Sequence, residues 1–423
     1  MLLRQASYLK EVMRQQWMGR REIEKFQLSA LKSIVYHAYL NVPFYHESFR
    51  KKGIMPSDIK SLSDIKKLPV ITRYEIDSNH QKFIAKNYRE YYDLKDFIKK
   101  STSGSSSGRP LIIPFDHRAY DYLEVIYARA LFSEGYSPFK PLAYYWYEPF
   151  AHKPMNFFGL MRKQLISHTL TEEEQIKLLE KLKPEFIHYF SSSIYNISRI
   201  ISDKSLEKIR PKAIITHAEI LSKRMRKRIE DTFNTEVFDQ YGSTEFNRMA
   251  WECKEHNYHL DADSMITEFL SGNNDCSSGE EGNVVVTGLA NYFFPLIRYS
   301  IEDKATPEQD ECSCGRGLPT IKGISGRKED FIVSKDGQVF SPKEVIDAMD
   351  RITMLGRYQI IQKDKISVNL NIIRDFDISD KTLSEIKNAA EKVFSNKLNV
   401  KISEVSSLKK SWHGKIKIVE SSI

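Results

Sequence analysis

The first seventy-five residues place apolar positions at the spacing of helices. Apolar residues recur at intervals of three and four, which aligns them on one side of a helix. One such face consists of Leu31, Ile34, Val35 and Ala38. The pattern stops at Pro43 and again at Pro69, because proline removes a helix hydrogen bond. Residues 1–75 are therefore predicted to form helices with a buried face.

Between residues 119 and 241 short apolar runs alternate with longer amphipathic segments. The predicted helices are 119–134, 172–183, 191–202 and 222–233. The predicted strands are 140–147, 186–190, 213–216 and 236–238. Strands that alternate with helices of about ten or more residues indicate a parallel, wound sheet.

Near residue 265 the pattern changes to short strands between glycine and asparagine turns, which is typical of an antiparallel section. From residue 329 it becomes a small α+β unit. We therefore predict an α/β protein with a large N-terminal domain, residues 1–328, and a small C-terminal α+β domain, residues 329–423. The boundary falls at Gly326-Arg327.

The composition is that of a globular protein with a large core. The chain has 423 residues, of which 41% are hydrophobic and 28% are charged. Its 64 basic and 56 acidic residues give a net charge of +8, a weak field that does not by itself indicate nucleic-acid binding. No apolar run approaches the roughly 18–20 residues of a membrane span, and the first residues lack the apolar core of a signal peptide. Four cysteines are too few for a disulfide scaffold, so we expect a soluble, cytoplasmic protein.

The segment 101–110, Ser-Thr-Ser-Gly-Ser-Ser-Ser-Gly-Arg-Pro, has the most unusual local composition. Small residues let the backbone approach a ligand, and successive N–H groups in such a turn can surround phosphate oxygens. Hydroxyl donors are available from Thr102, Ser103, Ser105 and Ser106. A flexible linker is the alternative, and the missing Gly-Lys-Ser ending excludes a Walker A loop.

A second polar turn, Asp239-Gln240-Tyr241-Gly242-Ser243-Thr244-Glu245, follows a predicted parallel strand. Ligand sites in wound sheets lie at the carboxyl ends of strands. An aromatic ring, a hydroxyl and a carboxylate at that place can hold a base, a phosphate and a magnesium ion. An ordinary turn after a strand is the alternative.

A third group of charged residues lies at 295–303, and Gly326-Arg327 follows about two dozen residues later. The aspartate of this group, Asp303, can accept hydrogen bonds from both hydroxyls of a ribose. An arginine can pair with a phosphate through two nitrogens. Taken singly, each residue is also typical of a surface ion pair.

Together and in this order, these segments resemble those of the adenylate-forming superfamily of acyl-CoA synthetases and adenylation domains. The resemblance is greatest to the phenylacetate–CoA ligase branch with its CapK-like capsule-biosynthesis relatives. The matching segments are Thr102 to Pro110 for the phosphate loop, Thr216 to Glu219 for the adenine-side loop, Tyr241 to Glu245 for the nucleotide and magnesium motif, Arg298 to Asp303 for the ribose motif, and Gly326-Arg327 for the hinge. The resemblance spans nearly the whole chain, and the ordered set is far more specific than any one motif.

The resemblance implies an ATP-dependent ligase that forms an acyl-adenylate and releases pyrophosphate. It implies that Glu245 holds Mg²⁺ and that Thr244 contacts a phosphate. Asp303 would bind the ribose hydroxyls, and Tyr241 would stack near the adenine. The other positions implied for nucleotide binding are Thr102, Ser103, Gly104, Ser105, Ser106, Gly108, Ala218, Glu219, Asp239, Gly242, Ser243 and Arg327.

The segment Trp412-His413-Gly414-Lys415-Ile416-Lys417 resembles the lysine motif of this family. It implies that Lys415, or Lys417 as the alternative, bridges the acyl oxygen and the α-phosphate. In members of this family the mobile C-terminal domain then rotates about the hinge, so that an acceptor can enter the site. Glu329 is the residue that aligns best with the hinge position. CoA is the usual acceptor, and an amine or hydroxyl of a sugar in a surface-polysaccharide pathway is the alternative acceptor. The sequence does not identify the carboxylic acid or the oligomeric state. A non-catalytic or regulatory ATP- or AMP-binding relative is the alternative function.

A few positions depart from the family pattern. Ser106-Ser107 replaces the usual Thr-Gly, Arg109 replaces a common lysine, and Glu302 stands where glycine normally precedes the ribose aspartate. Serine keeps the hydroxyl of threonine, whereas Ser107 and Glu302 lose the backbone freedom of glycine. We interpret these departures as divergence rather than as loss of ATP binding.

Cysteines and histidines form a further candidate site. The thiolates of Cys312 and Cys314 can share a metal, and one more cysteine with one histidine completes a tetrahedral zinc shell. The expected ligands are Cys253, His259, Cys312 and Cys314, with His256 as the competitor of His259 and Cys276 left out. Several members of the branch carry a similar set. A structural zinc ion is therefore predicted, and reduced, unpaired thiols are the alternative.

The aromatic and basic clusters admit weaker interpretations. Residues 144–147, Tyr-Tyr-Trp-Tyr, with Phe157-Phe158 could form an aromatic acyl pocket that His217 lines, although core packing is the commoner role. The basic residues of helix 222–233 are more typical of a solvated face than of a nucleic-acid patch. A zinc-stapled nucleic-acid-binding protein is accordingly the least favoured alternative.

Overall fold

The computed structural model describes residues 2–91, 97–102, 110–147, 163–352, 355–373, 379–411 and 414–423. By their internal contacts these residues divide into two compact units, each built from two stretches of chain. The first unit contains Met1–Glu134 and Gln240–Gly323, and the second contains Gly135–Asp239 and Ile324–Ile423. The sequence pattern did not predict this discontinuous division, and the domain boundary between residues 328 and 329 stays a prediction.

The first unit begins with helices whose ends follow from local sequence. The helices are Leu2–Gln15, Arg20–Asn41, Pro43–Lys51, Arg73–Phe83 and His117–Ser133, with short 3-10 turns at Pro56–Asp58, Leu62–Lys67 and Lys86–Tyr91. Pro43 occupies the first position of its helix, where a missing N–H costs no hydrogen bond. Thr72 and Glu75 cap the helix Arg73–Phe83, and the side chain of each accepts the backbone N–H of the other. The face of Leu31, Ile34, Val35 and Ala38 is fully buried, which confirms the predicted helix.

The sheet of the first unit is the antiparallel section. Its strand order is Asn274–Asp275, Met265–Ser271, Gly282–Gly288, Tyr299–Glu308, Thr320–Arg327, Tyr258–Leu260, Asn247–Glu252 and Glu236–Ser243. The two strands Thr320–Arg327 and Glu236–Ser243 each continue into the second unit. A separate hairpin pairs Ile98–Ser101 with Ile112–Phe115 and so flanks the serine-rich loop on both sides.

The parallel sheet lies in the second unit. From the shared strand Glu236–Ser243 its order continues through Ala213–His217, Phe186–Phe190, Leu142–Trp146 and Lys163–Ser167. The helices between these strands are Glu172–Leu182, Ser191–Ile200, Asp203–Leu206 and Lys223–Phe233. The predicted alternation of strands and helices is confirmed. The strand Lys163–Ser167 was missed because its lysine, glutamine and serine leave no apolar run.

The remainder of the second unit is a small α+β fold. A mixed sheet runs in the order Asn399–Glu404, Ser367–Ile373, Arg357–Gln362 and Val419–Ser421, and a short hairpin pairs Ile332–Val333 with Val339–Phe340. The helices are Pro342–Met349 and Asp380–Val393, with a 3-10 turn at Lys328–Asp330. Ile360, Leu370 and Phe394 belong to the core that these elements share. The parallel sheet, the antiparallel section and this α+β part confirm the predicted fold class. Among the described residues, no helix has the length and apolar character needed to cross a membrane.

Candidate active site and metal cluster

Tyr241 and Asp303 meet in the first unit although they come from distant motifs. The Tyr241 hydroxyl donates a hydrogen bond to Oδ2 of Asp303 at 2.6 Å. Asp303 is buried. The positions expected beside the adenine and at the ribose are therefore neighbours, and a phenol holds one oxygen of the carboxylate in place.

A strand irregularity directs Asp303. Along Tyr299–Glu308 the pairing advances four residues, from Ser300 to Lys304, while the partner strand advances only two, from Asn283 to Val285. Inside this bulge Glu302 has φ = +66°, a left-handed conformation that glycine adopts without strain. The residue that replaces the expected glycine thus takes the backbone conformation that glycine would favour.

The turn after Tyr241 brings a carboxylate next to a second tyrosine. A Cβ on Gly242 would collide with the backbone of Asn247, so only glycine fits this close approach. Oε1 of Glu245 accepts a hydrogen bond from the Tyr299 hydroxyl at 3.2 Å, and Glu245 is buried. Burial and the neighbouring Glu245 carboxylate raise the pKa of Tyr299, which keeps its phenol protonated as the donor. Carboxylate oxygens are the ligands that Mg²⁺ prefers.

Other members of the two first-unit motifs have local contacts. Ser243 Oγ accepts the N–H of Phe246 at 3.3 Å, and Thr244 is half-buried. Arg298 donates from Nη2 and Nε to the Glu268 carboxylate at 2.9 and 3.0 Å and from Nη1 to the Leu68 carbonyl at 2.6 Å. Within the ribose motif Arg298 is therefore committed to buried structural contacts.

Only the base of the predicted phosphate loop lies within the described residues. Thr102 is buried, and its backbone N–H donates to the Leu111 carbonyl at 2.9 Å. Its hydroxyl oxygen accepts the Leu111 N–H, also at 2.9 Å. Thr102 and Leu111 thus close the loop at its ends. The predicted residues Ser103, Gly104, Ser105, Ser106 and Gly108 lie outside the described residues.

In the second unit Glu219 links two separate backbone segments. Its Oε2 accepts the N–H of Ser192 at 2.8 Å, and its Oε1 accepts the N–H of Ile416 at 2.6 Å. Burial raises the pKa of Glu219, while these two N–H donors and the charge of Lys415 oppose that rise. The preceding Ala218 has φ = +69°. The position expected at the adenine side is thus joined to the lysine segment.

The two candidate lysines have different surroundings in the second unit. Lys415 Nζ lies 5.7 Å from the ring centre of Phe190. Lys417 Nζ donates to Asp330 at 3.0 Å and to Glu329 at 3.3 Å. Burial raises the pKa of Asp330 to about 6, and Lys417 opposes that effect. Lys417 is therefore engaged by the two carboxylates that follow the expected hinge.

Two further positions expected to bind nucleotide also lie in the second unit. Asp239 Oδ1 accepts a hydrogen bond from the Thr216 hydroxyl at 2.5 Å, and both residues are buried. Arg327 is partly exposed and lies 3.8 Å from Glu329. Asp239 thus ties two adjacent strands together, whereas Arg327 lies beside the Glu329 carboxylate.

Aromatic rings and histidines line one side of the parallel strands at their carboxyl ends. The residues are Tyr144, Trp146, His188, Phe190 and His217. The His188 and His217 rings are 4.1 Å apart, and the His217 and Trp146 rings are 5.6 Å apart. Burial, followed by the charge of Lys415, lowers the pKa of His217 to about 3, so its imidazole is neutral. Tyr145 packs into the core instead, and Phe157-Phe158 lies outside the described residues.

The first unit also gathers the four predicted metal ligands. One ligand atom each from Cys253, His259, Cys312 and Cys314 lies within 4.8 Å of all the others. The sulfurs of Cys253 and Cys312 are 3.6 Å apart, and Cys314 Sγ lies 3.3 Å from His259 Nε2. These separations fit the first shell of a tetrahedral zinc ion with bonds of about 2.0–2.3 Å.

The groups around the cluster favour metal binding by the histidine. His259 Nδ1 is 3.0 Å from the Leu318 carbonyl, so it carries the proton and Nε2 is left as the ligand atom. Burial lowers the pKa of His259 to about 4 and raises the pKa of Cys253 to about 12. His256, the competitor, instead lies 3.6 Å from the Glu252 carboxylate and is partly exposed.

A buried charge network that the sequence did not indicate lies beside the cluster. Arg129 is fully buried and donates to Asp261 and Asp263 at 2.5 to 3.0 Å. Arg248 donates to the same Asp261, as does the indole nitrogen of Trp251. Trp251 also belongs to the hydrophobic cluster that contains Cys253 and Cys312. Buried charges need partners of this kind, and Trp251 connects this network to the cluster of metal ligands.

Comparison with known proteins gives the following relatives. Residues 332–422 match the family described as the CapK C-terminal domain. Protein CapK of Staphylococcus aureus is 27% identical over 341 residues, which cover 74% of this chain and 70% of that protein. Phenylacetate-coenzyme A ligase of Escherichia coli (strain K12) is 25% identical over 341 residues, covering 75% of this chain and 74% of that protein.

A solved structure shares the fold. A 2-hydroxyisobutyryl-CoA ligase in the postadenylation state, in complex with 2-HIB-AMP, superposes with a TM-score of 0.82. The superposition covers 97% of this chain and 91% of the other, at 18% sequence identity. This likeness establishes the fold and agrees with the fold class predicted from the sequence.

Proposed function

We propose that this chain, which belongs to the adenylate-forming family of CapK-like and phenylacetate–CoA ligase-like proteins, activates a carboxylic acid with ATP and transfers the acyl group to coenzyme A. In the first reaction a carboxylate oxygen bonds to the α-phosphorus of ATP, the bond from that phosphorus to the bridging oxygen breaks, and pyrophosphate leaves. In the second reaction a thiol bonds to the acyl carbon and AMP leaves. The relatives named phenylacetate-coenzyme A ligase support this activity.

The contact between Tyr241 and Asp303 carries the proposal. Two motif positions that are far apart in sequence form a 2.6 Å hydrogen bond, and the carboxylate is buried and held in one orientation. A fixed carboxylate can accept hydrogen bonds from both hydroxyls of a ribose. An aromatic ring beside it offers a surface for the base. Asp303 and Tyr241 are accordingly proposed to bind the nucleoside of ATP.

The remaining roles follow from charge. Glu245 is proposed to hold Mg²⁺, which neutralises the charge that moves to pyrophosphate. Thr244 is proposed to contact a phosphate. Lys415 is proposed as the catalytic lysine, because an ammonium group near the acid and the α-phosphate stabilises the negative charge that develops there.

The cysteine and histidine cluster is proposed to bind a structural zinc ion. Three thiols and an imidazole nitrogen supply all four positions of a tetrahedral shell, which leaves no open position for a substrate. The ligands come from two segments, around Cys253 and around Cys312, so the ion would fasten these segments together. Binding would release the proton that burial keeps on Cys253.

ATP-dependent release of pyrophosphate tests the proposed function. Aryl, fatty, hydroxy and amino acids are offered as pools to the wild type, to Glu245→Gln and to Glu281→Gln. Glu281 is a matched control because it pairs with Lys304 at the surface of the same unit. Release by the wild type and by Glu281→Gln, but not by Glu245→Gln, is expected. If the wild type binds ATP but releases no pyrophosphate with any pool, the non-catalytic alternative replaces the proposal.

A second assay identifies the acceptor. Adding CoA to the active acid should produce a thioester and AMP. An amine or hydroxyl of a sugar, which the sequence resemblance leaves open, is the alternative acceptor. Acyl transfer to an amino sugar, with no thioester formed from CoA, would establish that alternative.

A further inference from the structure

We infer that Glu219 is a positioning residue that fixes the place of Lys415, and that it does not contact the adenine of ATP. The inference rests on the proposed function, in which Lys415 acts on the acid and the α-phosphate. It replaces the nucleotide contact that the family resemblance implies for Glu219 with a mechanical role in the same reaction.

Both oxygens of the Glu219 carboxylate already accept backbone hydrogen bonds. Oε2 accepts the N–H of Ser192 at 2.8 Å, and Oε1 accepts the N–H of Ile416 at 2.6 Å. Hydrogen bonds from N–H groups to a carboxylate are short and about twice as strong as neutral ones. The carboxylate therefore fastens the peptide that follows Lys415 to the start of the helix Ser191–Ile200.

The helix side of this link is built independently of the lysine segment. Ser192 lies in the first turn of a ten-residue helix, where unpaired N–H groups and the helix dipole favour a negative charge. The Ser191 hydroxyl donates to the Glu219 carbonyl at 3.4 Å, which adds a second contact. Ala218 turns the chain through a left-handed conformation at the end of its strand. Glu219 thus projects from a fixed place.

On the described sides of residues 412–413, backbone hydrogen bonds join Ser411 to Gly414 and to Lys415. Ser411 N–H donates to the Lys415 carbonyl at 2.8 Å, and Gly414 N–H donates to the Ser411 carbonyl at 2.9 Å. Gly414 has φ = +82°, and a Cβ there would lie 2.9 Å from His168. Gln359 holds the carbonyl of Lys417 at 2.8 Å. Glu219 accepts the N–H of Ile416, which lies between the carbonyls of Lys415 and Lys417. It therefore sets the direction in which the Lys415 side chain leaves the backbone.

The substitution Glu219→Gln tests the inference with little change of volume. An amide has one oxygen acceptor, and its NH₂ group cannot accept, so one of the two N–H groups loses its partner. We expect kcat for pyrophosphate release to fall about 10- to 100-fold, the loss typical of a hydrogen bond to a charged group. The Kd for ATP should stay unchanged. A contact to adenine would give the opposite result, a weaker Kd for ATP with kcat largely retained.

A double-mutant cycle with Lys415→Ala separates positioning from general damage. If Glu219 acts through Lys415, adding Glu219→Gln to Lys415→Ala should reduce kcat no further. Glu219→Asp, which keeps the charge but is too short to span both N–H groups, should show a similar loss. Glu420→Gln is the matched control, because its carboxylate pairs with Lys409 in the same terminal segment at 2.8 Å. It should behave as the wild type.

Hydrogen exchange supplies a readout that does not depend on activity. The amides of Gly414, Lys415 and Ile416 should exchange faster in Glu219→Gln than in the wild type and in Glu420→Gln. Unchanged exchange, unchanged kcat, a weaker Kd for ATP, or a full additional loss in the Lys415→Ala background would each overturn the inference. A wild type that activates no acid would instead show that the proposed function has failed.

Discussion

Replacing Lys415 with alanine should slow adenylate formation far more than replacing Lys417, although the two lysines are separated by a single residue. The reason lies in their surroundings. Lys417 Nζ is held by Asp330 and Glu329 at 3.0 and 3.3 Å, whereas Lys415 Nζ lies 5.7 Å from the ring of Phe190 at the carboxyl end of a parallel strand. Ligands of wound sheets bind at that end.

The expected magnitudes differ by more than an order. Loss of a group that stabilises charge in the transition state costs about 2.7–4 kcal/mol, or about 100- to 1,000-fold in kcat. The ion pairs of Lys417 leave its side chain 33% exposed, and a partly solvated pair of this kind is worth up to about 1 kcal/mol. Lys417→Ala should therefore lower kcat about five-fold at most and act chiefly on stability.

The assay is steady-state release of pyrophosphate with a saturating acid and ATP, beside a measurement of ATP binding for each variant. Lys415→Arg keeps the charge but changes the shape of the cation, so it should recover part of the rate. An equal or larger loss in Lys417→Ala than in Lys415→Ala, at unchanged ATP binding, would refute the reasoning and make Lys417 the catalytic lysine.

Other predictions concern the zinc cluster, the ribose contact and a buried acid. Protein purified without chelator should contain one zinc ion per chain by elemental analysis, and Cys312→Ser should lose it while Cys276→Ser keeps it; metal-free wild type would contradict the site. Asp303→Asn should weaken ATP binding about 10- to 100-fold and bind 2′,3′-dideoxy-ATP as well as ATP, so retained discrimination would exclude the ribose role. Burial raises the pKa of Asp330 from 3.8 to about 6, so the stability from this group is present below pH ~4 and is lost as the pH rises through about 6. Asp330→Asn should therefore gain roughly 2 kcal/mol on the wild type between pH 4 and 7 in urea denaturation, and a gain that shrinks with pH would disprove this.

The fold was predictable where one physical signal dominated. The spacing of apolar residues predicted the helix face that contains Leu31 and Ala38, and a continuous apolar run predicted the strand 186–190. Both predictions hold because the helix face and the strand bury their apolar side chains. The order of motifs predicted a resemblance to this family of ligases, and the similarity to protein CapK and to phenylacetate-coenzyme A ligases agrees with that prediction. The site residues and the zinc ion stay predictions, although the structure brings Cys253 and His259 together with the two later cysteines.

The remaining features of the site do not follow from the sequence, because they depend on contacts between distant segments. No local pattern shows that both Glu219 oxygens accept backbone N–H groups or that Lys417 forms an ion pair with Asp330. The sequence indicates Tyr299 only as part of a motif, yet its hydroxyl contacts Glu245. A motif constrains which residue types occur, whereas partners are chosen by the strand register and the turns that bring segments together.

Left-handed backbone conformations occur immediately before four side chains discussed above. The pairs are Ala218 before Glu219, Arg298 before Tyr299, Glu302 before Asp303 and Gly414 before Lys415. For a residue with a Cβ this conformation costs about 1–2 kcal/mol, so it persists only where surrounding contacts enforce it. At Glu302, inside a strand, this conformation re-aims the Asp303 side chain, which a regular strand would send to the opposite face. Glu302, in place of the usual glycine, therefore lowers the stability of the fold but keeps the backbone geometry that glycine would give. Restoring glycine there should stabilise the chain and leave ATP binding unchanged, since Asp303 is already held by Tyr241.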